Sequence, residues 1–380
     1  MRSIHVDQAP SEELRQRVDR WDAEAHQGAV GAFGPWTLAA VWSAARSATV
    51  SASTAIEGNS LTPEQVDAVL GGAQVNGDPA DVRDIANYNA ALNIAQRAAE
   101  RGSVLTEDLI QEINAAVTAG LRVDTGGRYR QDDVHVGIYE GPAWRVVPAL
   151  MTELVDHLAL NRRQSTLIRS ALVHLNLVAI HPFADGNGRT ARILSSFELM
   201  RDGIVAPELI AIGGYVRSHR DEYIDALRTT LGAAYNPEEH PATPWIDYYT
   251  RMSLDRLDAR NWLLAALPND FGVLAVALVE TDSPLAWVPF LLAARNAPLR
   301  TSRIADATGR SNPAVRAMLS GMARAGWLMP VGSTRGRHYL PSDRLAALNL
   351  RSPEILRALT DGSQLPEGRD EEGKESTGRP

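Results

Sequence analysis

Apolar residues recur along most of the chain at spacings of three and four, the period that puts them on one face of an α-helix. Residues 81–102, DVRDIANYNAALNIAQRAAERG, keep that pattern up to a glycine suited to a helix end. TEDLIQEINAAVTAGL (106–121) opens on Thr106 as a cap, with acids where they favour the positive end of the helix dipole. The period breaks over 121–148, LRVDTGGRYRQDDVHVGIYEGPAWRVVP. There a Gly-Gly turn precedes β-branched residues alternating with polar ones around Val134 and Val136, followed by Gly137, Gly141 and Pro142. This predicts a short hairpin between helices. Helical periodicity returns at Pro148. LIRSALVHLNLVAI puts Leu167, Ala171, Leu175 and Val178 on one apolar face. RTARILSSFELMRDG does the same with Ile193, Phe197 and Met200, with Gly203 as a stop, and SHRDEYIDALRTTL continues as the next helix.

Residues 181–190, HPFADGNGRT, interrupt this helical stretch. Pro182 lacks a backbone N–H and drives the residue before it out of the right-handed helical region, so the incoming helix ends at about His181. Gly186 and Gly188 allow positive φ and have no side chains, so the amides around Asn187 can face inward as an anion nest at the start of the next helix. Arg189 and Arg192, three apart, share one face of its first turn. There they oppose the helix dipole, each at a cost of roughly a few tenths of a kcal/mol that a bound polyphosphate reverses. Asp185 offers a hard oxygen beside the nest, suited to a Mg²⁺ that also ligates phosphate oxygens. His181 is the group there that can accept a proton near neutral pH. Each feature also has a plain structural reading, as a tight turn, a helix cap or a solvated charged face. Their concentration within twelve residues points to phosphate chemistry.

HPFADGNGRTAR resembles the signature of the Fic family: His-Pro-Phe, two residues, Gly-Asn-Gly-Arg, two residues, Arg. The resemblance extends over roughly residues 30–235 and implies an all-helical core that transfers AMP from ATP to a hydroxyl of a target protein and releases pyrophosphate. In that reading His181 is the general base toward a Ser, Thr or Tyr hydroxyl, and Asp185 holds Mg²⁺ against the α- and β-phosphates. Asn187, with the amides of Gly186 and Gly188, stabilises charge on the α-phosphate, Arg189 and Arg192 hold the β- and γ-phosphates, and Phe183 anchors the loop in the core. The hairpin at about 131–146 resembles the family's target-positioning flap, although a single proline, Pro148, follows it where relatives often have two. STAIEGN (53–59) resembles the family's inhibitory helix signature, which implies that Glu57 pairs with Arg192 in the place of the γ-phosphate, helped by the Ser53 hydroxyl. YVRSHRDEYIDAL (215–227) matches the helix beside the nucleotide base, with Tyr223 or His219 facing the adenosine or packing in the core.

Composition changes little in this picture. A chain of 380 residues with 44% hydrophobic content can bury a large core and divide into two or three domains. The net charge of −8 argues against wrapping nucleic acid with the whole surface. The absence of cysteine excludes disulfides and cysteine-liganded metal centres and fits a reducing cytoplasm. FGVLAVALV and LAWVPFLLAA are too short to span a bilayer, so the expectation is a soluble cytoplasmic protein with no membrane partner.

Residues 301–340 read as helix, Gly-containing turn, helix with Val315, Met318, Leu319 and Met322 inward, and a hairpin tipped by 333–337. That order resembles a winged helix-turn-helix, in which Arg316, Arg324, Arg335 and Arg337 could meet DNA phosphates. The expected fold is therefore all-α, a Fic-type helical core with a small hairpin flap plus a C-terminal winged helix-turn-helix. The division is 1–75 (inhibitory helix), 76–235 (catalytic core), 236–290 (helical connector, opening on the Pro-rich NPEEHPATP), 291–345 (winged helix) and 346–380 (tail, acidic and disordered from 361). A homodimer is a further implication of the resemblance. Two other functions use the same residues: hydrolytic removal of AMP, with Glu57 positioning water, and a DNA-binding regulator with a nucleotide-responsive core.

Overall fold

The computed structural model describes residues 4–6, 11–26, 35–204, 206–281, 298–308, 310–333, 336–348, 350 and 355. The chain is carried by helices: α1 (Glu12–Ala25), α2 (Pro35–Ala55), α3 (Pro63–Leu70), α4 (Pro79–Glu100), α5 (Glu107–Thr118), α6 (Val147–Leu160), α7 (Thr166–Ile180), α8 (Asn187–Arg201), α9 (Pro207–Ile210), α10 (Arg220–Leu231) and α11 (Thr243–Thr281). The end signals act as read from the sequence. Thr106 Oγ1 accepts the Leu109 N–H at 3.2 Å at the head of α5, and Gly102, at φ +69°, closes the turn after α4.

The helices α7 and α8 differ from the expectation of one apolar face, because both are buried almost all round at the centre of the fold. Their polar residues are tolerated there because each finds a partner. Arg169 Nε donates to Glu198 Oε2 at 3.0 Å, Ser170 Oγ to the Ser195 carbonyl at 2.8 Å, and Asn176 Nδ2 to the His5 carbonyl at 2.8 Å. Of the stretch expected to connect domains over 236–290, Thr243–Thr281 form α11, and its first turns belong to this same core. In α11 the Trp245 indole donates to the Ala171 carbonyl at 2.8 Å and stacks on His174 with ring centroids 4.9 Å apart. Aromatic burial of this size ties α11 to α7.

The hairpin is shorter than 131–146. Only β1 (His135–Val136) and β2 (Tyr139–Glu140) pair, antiparallel, with His135 opposite Glu140 and Gly137 at φ +63° in the turn. Beyond them the Gly141 N–H still reaches the Val134 carbonyl at 3.1 Å, and side chains hold the rest of the flanks. Asp133 Oδ1 accepts the Trp144 N–H at 2.9 Å, and a short 3₁₀ turn, Trp144–Val146, leads into α6. The outer edge of β2 is covered, since Glu140 bonds through its backbone to Ala233 and Tyr235.

The C-terminal unit comprises α12 (Thr301–Thr308), α13 (Asn312–Arg324), an antiparallel pair β3 (Leu328–Val331) and β4 (His338–Pro341), and α14 (Asp343–Ala346). Val315, Leu319 and Met322 are buried and Met318 partly so, as the helical period requires. The strand ends approach the chain before α12 through two backbone bonds between Leu299 and Tyr339. Arg335 at the hairpin tip and the acidic tail lie outside the described residues. Among those described, no helix is long and apolar enough to cross a membrane.

Candidate active site

The loop 181–186 joins the two most buried helices. His181 ends α7 in the left-handed conformation, φ 51° and ψ 57°, uncommon for a residue with a side chain. Pro182 excludes the right-handed alternative, and an arginine from the hairpin strand region holds the result in place. The Arg130 guanidinium donates to the carbonyls of His181 (2.8 Å), Asp132 (2.7 Å), Pro142 (2.5 Å) and Ile180 (3.3 Å), while its own N–H donates to the Pro182 carbonyl at 2.8 Å. One side chain thus closes the open carbonyls at the end of α7 and aims the imidazole. Phe183 is fully buried and packs its ring 5.5 Å from that of Tyr129.

Asn187 opens α8 with its side chain turned back into the loop. Its Oδ1 accepts the Phe183 N–H at 3.0 Å, and its Nδ2 donates to the Phe183 carbonyl at 2.8 Å. It therefore presents backbone, and not its carboxamide, toward the helix N-terminus, where the first-turn amides lack intrahelical acceptors. Gly186, at φ +78°, admits no side chain, because a Cβ would sit 2.9 Å from Thr118 Cγ2 and 3.0 Å from Asn114 Nδ2. Asn114 Nδ2 in turn donates to the Asp185 carbonyl at 3.0 Å and to Thr190 Oγ1 at 3.1 Å.

Both arginines of the motif are buried and both are paired. Arg189 donates to Asp84 of α4 at 2.5 Å and to Asp185 Oδ1 at 3.0 Å. Burial pushes the Asp84 carboxyl above its ordinary range even though Arg189 and Asn59 pull it down. The Arg192 side chain, 1% exposed, donates to Glu57 Oε1 at 2.7 Å, to the Ser53 carbonyl at 2.9 Å and to Ser53 Oγ. Burial opposes charge on both members of the Arg192–Glu57 pair, yet their mutual attraction prevails: the Glu57 carboxyl lies below its usual range and the guanidinium above its own. Glu57 itself is 37% exposed, at the mouth of the site.

Burial also lowers the His181 imidazole below its ordinary value, with Arg130 adding to the effect and Glu57, Asp185 and the Val178 carbonyl opposing it. The ring is then neutral at physiological pH and able to accept a proton. Among the described residues no three His, Asp or Glu side chains stand together to hold a metal ion unaided.

Of the base-side candidates, Tyr223 is buried, with its hydroxyl 3.3 Å from His174 Nε2 and its ring against Trp245, so it packs. His219 stacks on Tyr215 at 3.7 Å. Sequence reasoning missed Arg130, Asp84 and Asn114, which come from other elements and carry no motif of their own.

Residues 104–199 match the Fic/DOC family. The chain is similar to the protein adenylyltransferase Fic of Aedes aegypti, 29% identical over 242 residues, covering 61% of this chain and 45% of that protein. It is likewise similar to the protein adenylyltransferase fic-1 of Caenorhabditis elegans, 29% identical over 224 residues, covering 50% and 43%. It spans less than half the length of these relatives. Its fold resembles that of a Fic family protein from Desulfovibrio desulfuricans G20, with a TM-score of 0.56 at 22% identity over 90% of this chain and 98% of that one. Fic-1 from C. elegans superposes with a TM-score of 0.50 at 25% identity over 64% and 69%. The stretch 104–199, which holds the His181 loop, matches the Fic/DOC family, and the chain is similar to the Fic adenylyltransferases.

Proposed function

We propose that the chain is a protein adenylyltransferase held back by Glu57. The observation that carries this reading is the union, on one loop, of a neutral half-buried imidazole and a helix N-terminus flanked by two buried guanidinium groups. The His181 ring takes the proton as a Ser, Thr or Tyr oxygen of a target bonds to the α-phosphorus of ATP. The bond from that phosphorus to the bridging oxygen breaks, and pyrophosphate departs. The first-turn amides of α8 meet the charge that develops on the α-phosphate, and Arg189 and Arg192 take the β- and γ-phosphates once released from their carboxylates. Asp185 would hold a Mg²⁺ ion, which would supply charge neutralisation at the phosphates.

Glu57 competes for this chemistry. Its carboxylate occupies the Arg192 fork and so repels a γ-phosphate from the place that needs it. The target enters over the hairpin by strand addition. Support comes from the edge of β1, which faces no other strand while β2 is covered, and from Ile138 at the tip, 78% exposed. The unit from α12 to β4 reads as a winged helix-turn-helix appended to the core.

The deciding experiment follows label from α-³²P ATP into protein, using the Glu57→Gly chain with and without His181→Ala. Loss of labelling with an unchanged melting temperature is the expected result; labelling that survives the loss of His181 rejects the assignment.

A further inference from the structure

A second phosphate-seeking site lies apart from the His181 loop. Between the turn that ends α3 and the C-terminal unit is a cleft of about 650 Å³ that shares no lining residue with that loop. Arg300, Arg316 and Arg337 reach it from three separate pieces of chain: the segment entering α12, the first half of α13, and the β3–β4 hairpin. None of the three has an ion-pair partner among the described residues. Arg303, close by in sequence, is closed by Asp67 at 2.6 Å. Three uncompensated guanidinium groups around one concavity repel one another, an arrangement at odds with a chain of net charge −8 unless an anion joins them. The opposite side is backbone, Gly71 to Ala73, fixed by the Ser302 hydroxyl donating to the Gly71 carbonyl at 2.6 Å.

We infer that this cleft binds a small molecule carrying two or more phosphate groups, a nucleotide or an inorganic polyphosphate. Guanidinium forks match phosphate oxygens in pairs, and the volume is that of a small-ligand site. The same geometry disfavours a DNA duplex. A recognition helix must stand clear to enter a groove about 12 Å wide, whereas Arg316 of α13 looks into a cleft closed by the Gly71–Ala73 turn. The turn belongs to the unit that carries Glu57, since Asp67 of α3 takes both Arg303 and Ser47 of α2. The inference does not depend on the transferase reading.

Hydrogen exchange of the full chain with and without millimolar inorganic triphosphate tests it. Triphosphate is expected to protect the amides of 71–73 and 300–302. In the Arg316→Gln/Arg337→Gln chain, whose exposed substitutions leave the melting temperature unchanged, the concentration needed rises at least about tenfold, as the loss of two charge-assisted bonds requires. Protection at 186–192 is read separately and reports on the active site alone. No protection at 71–73, protection equal in the double variant, or displacement of triphosphate by a 20-base-pair duplex that protects the same amides would each overturn the proposal.

Discussion

Arg192 and Glu57 meet at 2.7 Å above Gly188, where an added Cβ would lie 2.6 Å from Glu57 Oε1 and would displace the carboxylate. The carboxylate fills the space at the start of α8, which the proposed reaction assigns to a phosphate of ATP, while the buried guanidinium keeps its remaining bonds to Ser53. Removing Glu57 leaves Arg192 formed, charged and free on the side that faces the nest. Glu57→Gly is accordingly expected to raise self-labelling from ATP by about 5–150-fold, the range of ordinary coupling energies between two ligands of one site. Glu57→Gln, which keeps the shape and a weaker hydrogen bond, should fall between. Equal rates in all three chains, measured with labelled ATP, would remove Glu57 from any regulatory role.

Gly186 supports a separate stability prediction. Its φ of +78° and the atoms of Thr118 and Asn114 at 2.9 and 3.0 Å leave alanine both strained and crowded. Gly186→Ala should cost roughly 1–3 kcal/mol, read as a lowered midpoint in urea with an unchanged slope. Gly137, in the hairpin turn with nothing within 4 Å of its Cβ position, supplies the control: Gly137→Ala carries the backbone strain alone and should cost less.

How far the sequence could be read is clear from where these residues stand. Helix ends such as Thr106 and Gly102 are set by neighbours one turn away, so a local pattern suffices to find them. The loop from His181 to Arg192 is likewise contiguous, and even the distant Ser53 and Glu57 pointed to Arg192 through a resemblance. Asn187 shows the limit. The motif places it beside the phosphate nest but does not reveal that two bonds to Phe183 turn its carboxamide inward. The even burial of α7 and α8 depends on pairings of the same long-range kind, such as Arg169 with Glu198 at 3.0 Å. Arg130, Asp84 and Asn114 act on the loop across 51, 105 and 71 positions of chain, beyond any local signal.

Arg130 is the most consequential of these. Four carbonyls from two segments converge on its guanidinium, and two of them close the helix that ends at His181. Arg130→Gln abandons at least two such bonds in a buried setting, so the fold should lose roughly 2–4 kcal/mol. The turnover of the Glu57→Gly chain should fall with little change in the apparent affinity for ATP, because the imidazole is misaimed while the nest is intact. A matching loss of ATP affinity, with turnover preserved, would show that Arg130 acts on the nest and not on the base.

The acid side of the rate profile offers the last test. Burial, aided by the charge on Arg130, holds the His181 imidazole below its ordinary value of 6.5 against the pull of Val178, Glu57 and Asp185. As pH falls through the value in the folded protein the ring gains its proton and ceases to be a base, so labelling should decline only below pH 6.5. Removing the Glu57 charge removes one group that favours the imidazolium, and the decline should therefore move further toward acid in Glu57→Gly than in Glu57→Asp. Profiles of kcat/KM measured from pH 4.5 to 8 decide the matter. An acid limb above 6.5, or one that shifts toward neutrality when the carboxylate is removed, would mean that another group accepts the proton.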